Sequence, residues 1–303
     1  MPKYLRTLAV VLFVLAAAYI LVLIPRPPSG PKTPDVPEKI QRFSLTRPAH
    51  SITMESMETG WRVTSPVNVP ANEGSVVSFL AGLRSLTLEK VISHRPESHA
   101  LYRLDNAQGI LLKVWGEGAQ EPQGWIIGKD SPTGGNVFVR LETGSEVYLA
   151  KGLSRAYAEA DLHAWRETRL LPLPADEAVQ AVEVRRGKTS LRVERSSTSW
   201  TVNGKPANSE IVDERVNSLR YVSADEFVDP PESVALLAEK RNLPSREIVV
   251  ILSSGKNHVL RVLKEIQGDS PRTLFQRDED PHLFSLSQPV VWLTLTEKEL
   301  LPN

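Results

Sequence analysis

His94-x-x-Glu97-x-His99 puts two imidazoles and a carboxylate within six residues, the donor set of a metal site. Zinc ligands must converge from fixed helical or hairpin spacings, and Pro96 breaks any helix here. There is also no HExxH pattern, so the segment reads as a polar turn. Ser253-x-x-Lys256 has the spacing that brings a lysine to a nucleophilic serine when both lie on a helix. Here it sits between two strand-like runs, "EIVVIL" and "HVLRVL", so a hairpin turn is expected. "GKDSPTGGN", Gly128 to Asn136, is glycine-rich but departs from the phosphate-loop spacing and precedes a strand pattern. "GDS" at Gly268 to Ser270 has no convincingly placed His or Asp partner for serine chemistry. "RDEDP", Arg277 to Pro281, has weak calcium-loop character and reads as a turn of solvated charges. No catalytic, cofactor-binding or metal-ligating residue is therefore assigned, no cofactor is called for, and no small-molecule ligand is evident.

Composition narrows the classes further. The 303 residues carry 36 basic and 36 acidic side chains. This balance removes the electrostatic case for nucleic-acid binding. The hydrophobic fraction of 41% suffices for packed cores. With no cysteine, disulfides, thiol nucleophiles and Cys-ligated metals are excluded.

The elements that would position any chemistry begin with an anchor. After the basic head "MPKYLR", Thr7 to Ile24 is an uncharged run of 18 residues, the short end of the membrane-spanning range. Ala16-Ala17-Ala18 resembles a signal-cleavage site, but the apolar run continues to Ile24, so an uncleaved single-pass anchor is expected. Basic residues flank it almost equally; the short basic head favours a cytoplasmic N-terminus and an extracytoplasmic bulk. Residues 25–39 form a proline-rich, semi-rigid stalk.

Beyond the stalk the chain repeats itself. "GWRVTSPVNVPANEGSVVSFLAGL" from Gly60 and "SWTVNGKPANSEIVDERVNSL" from Ser199 align Trp61 on Trp200. After a three-residue deletion, Pro70-Ala71-Asn72 falls on Pro206-Ala207-Asn208. Val76, Leu80, Leu83 and Leu86 then fall on Val212, Val216, Leu219 and Val222, one helix face in each copy. Asn72 and Asn208 are the expected N-caps. Three strand-like pieces precede each helix and several follow it. Val91 falls on Phe227, Val139-Arg140 near Gln276-Arg277, and Tyr148 on Phe284. Each copy is expected to end in a helical piece, "LSRAYAEADLHAWRE" and "PVVWLTLTEKELL". Trp61 and Trp200, equivalent by the repeat, are expected to be buried core anchors. The fold class is thus α+β: a tandem duplication of a mainly antiparallel sheet unit with one or two packing helices, behind an N-terminal transmembrane helix. The expected parts are 1–24 (head and anchor), 25–39 (stalk), 40–168 (first unit) and 169–303 (second unit).

The blocks "GWRV…PAN…VVSFLAGLRSL", "ALYRLDNAQGILLKVW", "WIIGKDSPTGGNVFVRLETGSEVYLA" and "ADLHAWRETRLL" resemble the DUF4340 family of membrane-anchored bacterial proteins. Most of the likeness lies in Tyr102-x-Leu104, in Ile127-Gly128-Lys129 with Val137-Phe138-Val139-Arg140, and in Ala164-Trp165-Arg166. The second half lacks the Gly-Lys and the Trp-Arg ending. The resemblance implies no reaction. It implies an envelope protein of the inner membrane, associated with ABC-type transport systems of the gliding-motility type. The expectation is a non-enzymatic accessory or scaffold held in the membrane by Thr7–Ile24, with an envelope protein as partner, ABC transporter subunits among the candidates. The alternative is an envelope hydrolase of wall or lipid substrates with a dispersed site.

Overall fold

The computed structural model describes residues 33–197, 199–239 and 246–302, together with Phe13, Leu15 and Ala16, which are helical. The rest of the expected anchor Thr7–Ile24, and residues 25–32 of the stalk, lie outside the described residues. Among the described residues no helix is long and apolar enough to cross a membrane.

The chain forms two compact units. One holds Val77–Glu159 and the preceding chain up to Thr53; the other holds Met54–Val76 and the chain from Ala160. Strand order repeats with its own period. The first sheet is built from β1 (Ile40–Arg47), β2 (His50–Met57), β3 (Gly60–Ser65), β4 (Val69–Pro70), β5 (Thr87–Ser93), β6 (Ile110–Gly116), β7 (Gln123–Asp130), β8 (Asn136–Leu141) and β9 (Val147–Lys151). Its helix α1 (Glu73–Arg84) lies between β4 and β5 in sequence, and α2 (Arg155–Glu159) and α3 (Leu162–Trp165) follow β9. The second sheet contains β10 (Val179–Arg186), β11 (Thr189–Ser196), β12 (Ser199–Val202), β13 (Lys205–Pro206), β14 (Glu226–Val228), β15 (Arg246–Leu252), β16 (Asn257–Ile266), β17 (Arg272–Arg277) and β18 (Leu283–Leu286), with helices α4 (Ser209–Ser218) and α5 (Glu232–Glu239). Among the described residues the orders are β4-β3-β2-β1-β6-β7-β8-β9-β5 and β13-β12-β11-β10-β15-β16-β17-β18-β14, the same element for element.

This order places a helix across the sheet. In the second sheet β13 and β14 are opposite edges, yet only α4 and short connections join them. Laid flat, nine strands would separate those edges by about 38 Å at ~4.8 Å per strand. A ten-residue helix spans only about 15 Å. The connection therefore crosses one face of the sheet, and α4 packs there. The buried core follows: Val212 and Val216 of α4 pack with Val182, Val184, Val193, Trp200, Val250 and Phe275 from the strands. In the first unit Phe43 of β1 stacks on Phe79 of α1, ring centroids 5.0 Å apart.

The repeat holds at fine scale. Of the eight helix-face residues, Val76, Leu80, Leu83, Leu86, Val212, Val216 and Leu219 are buried, and Val222 is half-buried. Asn72 and Asn208 cap as expected, their side-chain oxygens accepting from the Ser75 and Ile211 N–H groups. Ala71 N–H donates to the Trp61 carbonyl and Ala207 N–H to that of Trp200, both at 2.9 Å, so the three-residue deletion falls in the intervening turn. Val91 pairs with Tyr148 and Phe227 with Phe284. The register of β1 on β6 slips between Ile40 and Arg42, and that of β10 on β15 between Val179 and Ala181, the same place in each copy.

Three details differ from expectation. The ladders put Val139 on Phe275 and Arg140 on Gln276, one residue from the alignment by sequence; both copies share the bulge next to these pairs, at Ile127/Asp130 on β7 and at Val262/Lys264 on β16. The helical endings are broken by interior caps. Asp161 accepts from Ala164 N–H and splits the first into α2 and α3. In the second, Thr296 and Glu299 form a capping box, leaving two short 3-10 turns at Val291–Leu293 and Glu297–Leu300. Trp200 is 2% exposed, as expected, but Trp61 is only half-buried. The Trp200 indole donates to Asp213 at 2.8 Å. The corresponding helix position in the first copy is Val77, an exposed side chain that offers no acceptor.

Candidate functional site

The residues that first suggested chemistry are dispersed. His94 pairs with Glu146 at 2.9 Å on an exposed surface, and His99 Nε2 lies 2.8 Å from the Ser145 carbonyl. Glu97 lies in the short 3-10 turn Pro96–Ser98. Among the described residues no group of three His, Cys, Asp or Glu is placed to hold a metal. Ser253 to Lys256 form the β15–β16 turn, where Ser254 hydrogen-bonds Glu177. The glycine-rich segment runs from the end of β7 through the β7–β8 loop, where Gly134 and Gly135 have positive φ. The "GDS" residues lie in the β16–β17 connection.

"RDEDP" does more than solvate a turn. It enters a charged network in the second unit that no local motif announces. Arg166, directly after α3, is 3% exposed and directs Nη1 at both oxygens of Asp229, 3.1 and 3.2 Å away. His282 Nδ1 lies 2.7 Å from the same carboxylate. Arg277 donates to Asp280 at 3.0 Å and to the Arg169 carbonyl at 3.2 Å. The two guanidiniums also stack, Arg166 over Phe227 at 3.5 Å and Arg277 over Phe284 at 4.6 Å, and these rings meet edge to face. Burial pushes the Arg166 pKa below its ordinary value, and the Asp229 carboxylate opposes that shift. Such a set of paired charges is a clamp, although the buried Nε of Arg166 makes no hydrogen bond. It fixes the segment after α3 against the β14–β18 edge.

The first unit holds an open site. A cavity of about 380 Å³ is lined by Thr46, Arg47, Asp105, Leu111, Ile126 and Arg140 among others. Its roof is the segment between β5 and β6. That segment can approach because β7 carries Gly128, where a Cβ would collide with the Tyr102 carbonyl. Lys129 reaches over the Tyr102 ring, 5.6 Å from its centroid, and Leu104 packs with Ile126, Phe138 and Val147. Arg140 is 8% exposed. Its Nε donates to the Leu104 carbonyl, and its Nη1 to the carbonyls of Leu141, Glu142 and Gly144. Burial pushes its pKa down, opposed by Glu142. The acids on the wall have partners of their own. Glu142 pairs with Lys113 at 3.2 Å, and Asp105 accepts from Ala107 and Gln108 within its own turn.

A family model described as a domain of unknown function, DUF4340, matches residues 61–240. The chain belongs to the DUF4340 family. Comparison with curated proteins and with solved structures returned no match. In this DUF4340 chain the pieces that carry the family likeness converge. Arg140 lines the first-unit cavity, and Tyr102, Leu104, Gly128 and Lys129 pack together beside it, at the segment that leads into its Asp105–Gly109 wall. Trp165 and Arg166 anchor the clamp, Trp165 through its carbonyl to Asn72 N–H at 2.9 Å. Sequence reasoning had no route to Asp229 or His282, which lie 63 and 116 residues beyond Arg166 in the chain. For Arg140 a signal existed, since it closes the quoted hairpin block, but its burial did not show.

Proposed function

We propose that this DUF4340 protein is a membrane-tethered, non-enzymatic accessory or scaffold of a bacterial envelope complex, partnered with an ABC-type transporter. The observation that supports this most directly is how the arginines are used. Arg47, Arg140, Arg155, Arg186, Arg220 and Arg277 each donate to backbone carbonyls of distant or looped segments. Guanidinium forks used in this way fix the course of irregular chain and make a rigid surface. Equivalent residues do equivalent work: Arg47 binds the Glu159 carbonyl, and Arg186 binds those of Trp292 and Leu295. A duplicated sheet unit with pinned loops suits presentation of a surface to a partner. Thr7–Ile24 would hold that surface at the inner membrane, with the bulk outside the cytoplasm.

Two measurements test this reading. Protease added to spheroplasts should digest the bulk of the chain; digestion only after permeabilisation would reverse the orientation. Quantitative mass spectrometry of the detergent-extracted protein should find ABC transporter subunits in constant ratio to it. Recovery of the chain alone, with hydrolytic activity on wall or lipid substrates, would overturn the scaffold reading.

A further inference from the structure

We propose that the cavity of the first unit binds a small molecule through an oxyanion, a carboxylate or a phosphate, received by Arg140. Comparison of the two copies carries this. One row of side chains crosses four neighbouring strands. In the first sheet Thr46 pairs with Leu111, Leu111 with Ile126, and Ile126 with Arg140. In the second sheet the same ladders join Arg185, Glu247, Arg261 and Gln276. There Glu247 is 8% exposed and accepts from Arg185 at 2.8 Å and from Arg261 at 3.3 Å. Each cation of that row meets carboxylates, Arg185 pairing also with Glu183 and Arg261 also with Glu279. In the first sheet the three places before Arg140 hold Thr, Leu and Ile, so the row ends in a cation with no carboxylate in line.

The structural duty of the position does not require that cation. Gln276 Nε2 donates to the Asp280 carbonyl, four residues on, at 3.1 Å. Arg140 Nη1 donates to the Gly144 carbonyl, also four residues on, at 3.3 Å. An amide therefore holds this turn in one copy, where a guanidinium holds it in the other. Among the described residues Arg140 Nη2 has no protein acceptor. Backbone carbonyls satisfy the other two nitrogens without cancelling the charge. Of the two acids on the cavity wall, Asp105 is held within its own turn, and Glu142, whose charge reaches Arg140, pairs with Lys113 and gives Arg140 only its backbone carbonyl. A nearly water-excluded guanidinium with a free N–H edge is a strong receptor for an oxyanion. Leu111, Ile126 and Pro48 offer apolar wall to the rest of the ligand, and the volume suits a small metabolite.

The test is isothermal titration of the detergent-solubilised full chain, with inorganic phosphate in one arm and succinate in the other. Neither arm depends on any partner protein. Saturable binding of at least one probe is expected, and the arm that responds identifies the oxyanion. R140Q, which installs the side chain of the second copy, should weaken it about tenfold or more. Should R140Q fail to fold, T46E decides. It adds a carboxylate to the wall at a more exposed position and should weaken binding in the same way. Absence of saturable binding to the folded wild type in both arms, or unchanged affinity in the folded variants, overturns the proposal.

Discussion

Arg166 and Asp229, 63 residues apart, meet at 3.1 Å with the arginine almost wholly buried. The pair joins the residue after α3 to the residue after β14, and His282 shares its carboxylate. Removing one member leaves the other charge stranded. Asp229→Ala is expected to destabilise the fold by about 3 kcal/mol. Arg166→Met combined with Asp229→Ala should cost less than the sum of the single changes, because neither charge is then left alone. Urea unfolding of the four proteins measures the coupling; strict additivity would show that the pair is idle.

The two equivalent tryptophans should differ. Trp200→Ala removes a buried ring with a hydrogen-bonded indole and should cost about 3–5 kcal/mol. Trp61→Ala, at a half-buried site, should cost about half as much or less. Thermal unfolding of the two variants orders them, and equal losses would contradict the difference in burial.

The caps are local and should behave alike. Asn72→Ala and Asn208→Ala each remove an acceptor for a first-turn N–H and should each cost about 1 kcal/mol. Replacement by Asp should largely preserve stability at neutral pH, since a carboxylate accepts the same bond and suits a helix N-terminus. A neutral effect of alanine in urea titrations would argue that these caps are frayed in solution.

Tyr148 offers a test in alkali. Burial, aided by its hydrogen bond to Glu146 and that carboxylate's charge, raises the phenol to about 12. An unfolded tyrosine ionises near pH 10, about the ordinary phenol value. The folded state therefore holds the proton longer, and the unfolded state binds fewer protons above that pH. Stability from this group is present below pH ~10 and is lost as pH rises toward the folded value. Absorbance titration near 295 nm should show one late-titrating tyrosine that Tyr148→Phe removes. The variant should also lose less stability than wild type across this pH range.

Much of the architecture was legible because its causes are local. Helix faces follow from a 3.6-residue period and caps from an asparagine at the right place. The β1–β2 and β10–β11 turns follow from Pro48 and Gly187. The edge strands β5 and β14 were less visible. β14 has only three residues and β5 is interrupted twice in register, so neither shows a clean alternation. The interior caps Asp161 and Thr296 were legible in principle, but they sat inside longer runs of helical periodicity that masked them.

The sequence by itself determined that a unit is written twice, which residues face each helix's core, and where the helices begin. These depend on neighbours within a few turns of chain. Only the tertiary structure decided that Arg166 meets Asp229, that Arg140 aligns with Gln276 and not Arg277, and that one copy keeps a cavity where the other closes an ion-paired row. Those outcomes depend on strand pairing between residues far apart in sequence. A difference of one residue in register turns a side chain to the other face of the sheet, and only the ladder pairing fixes it.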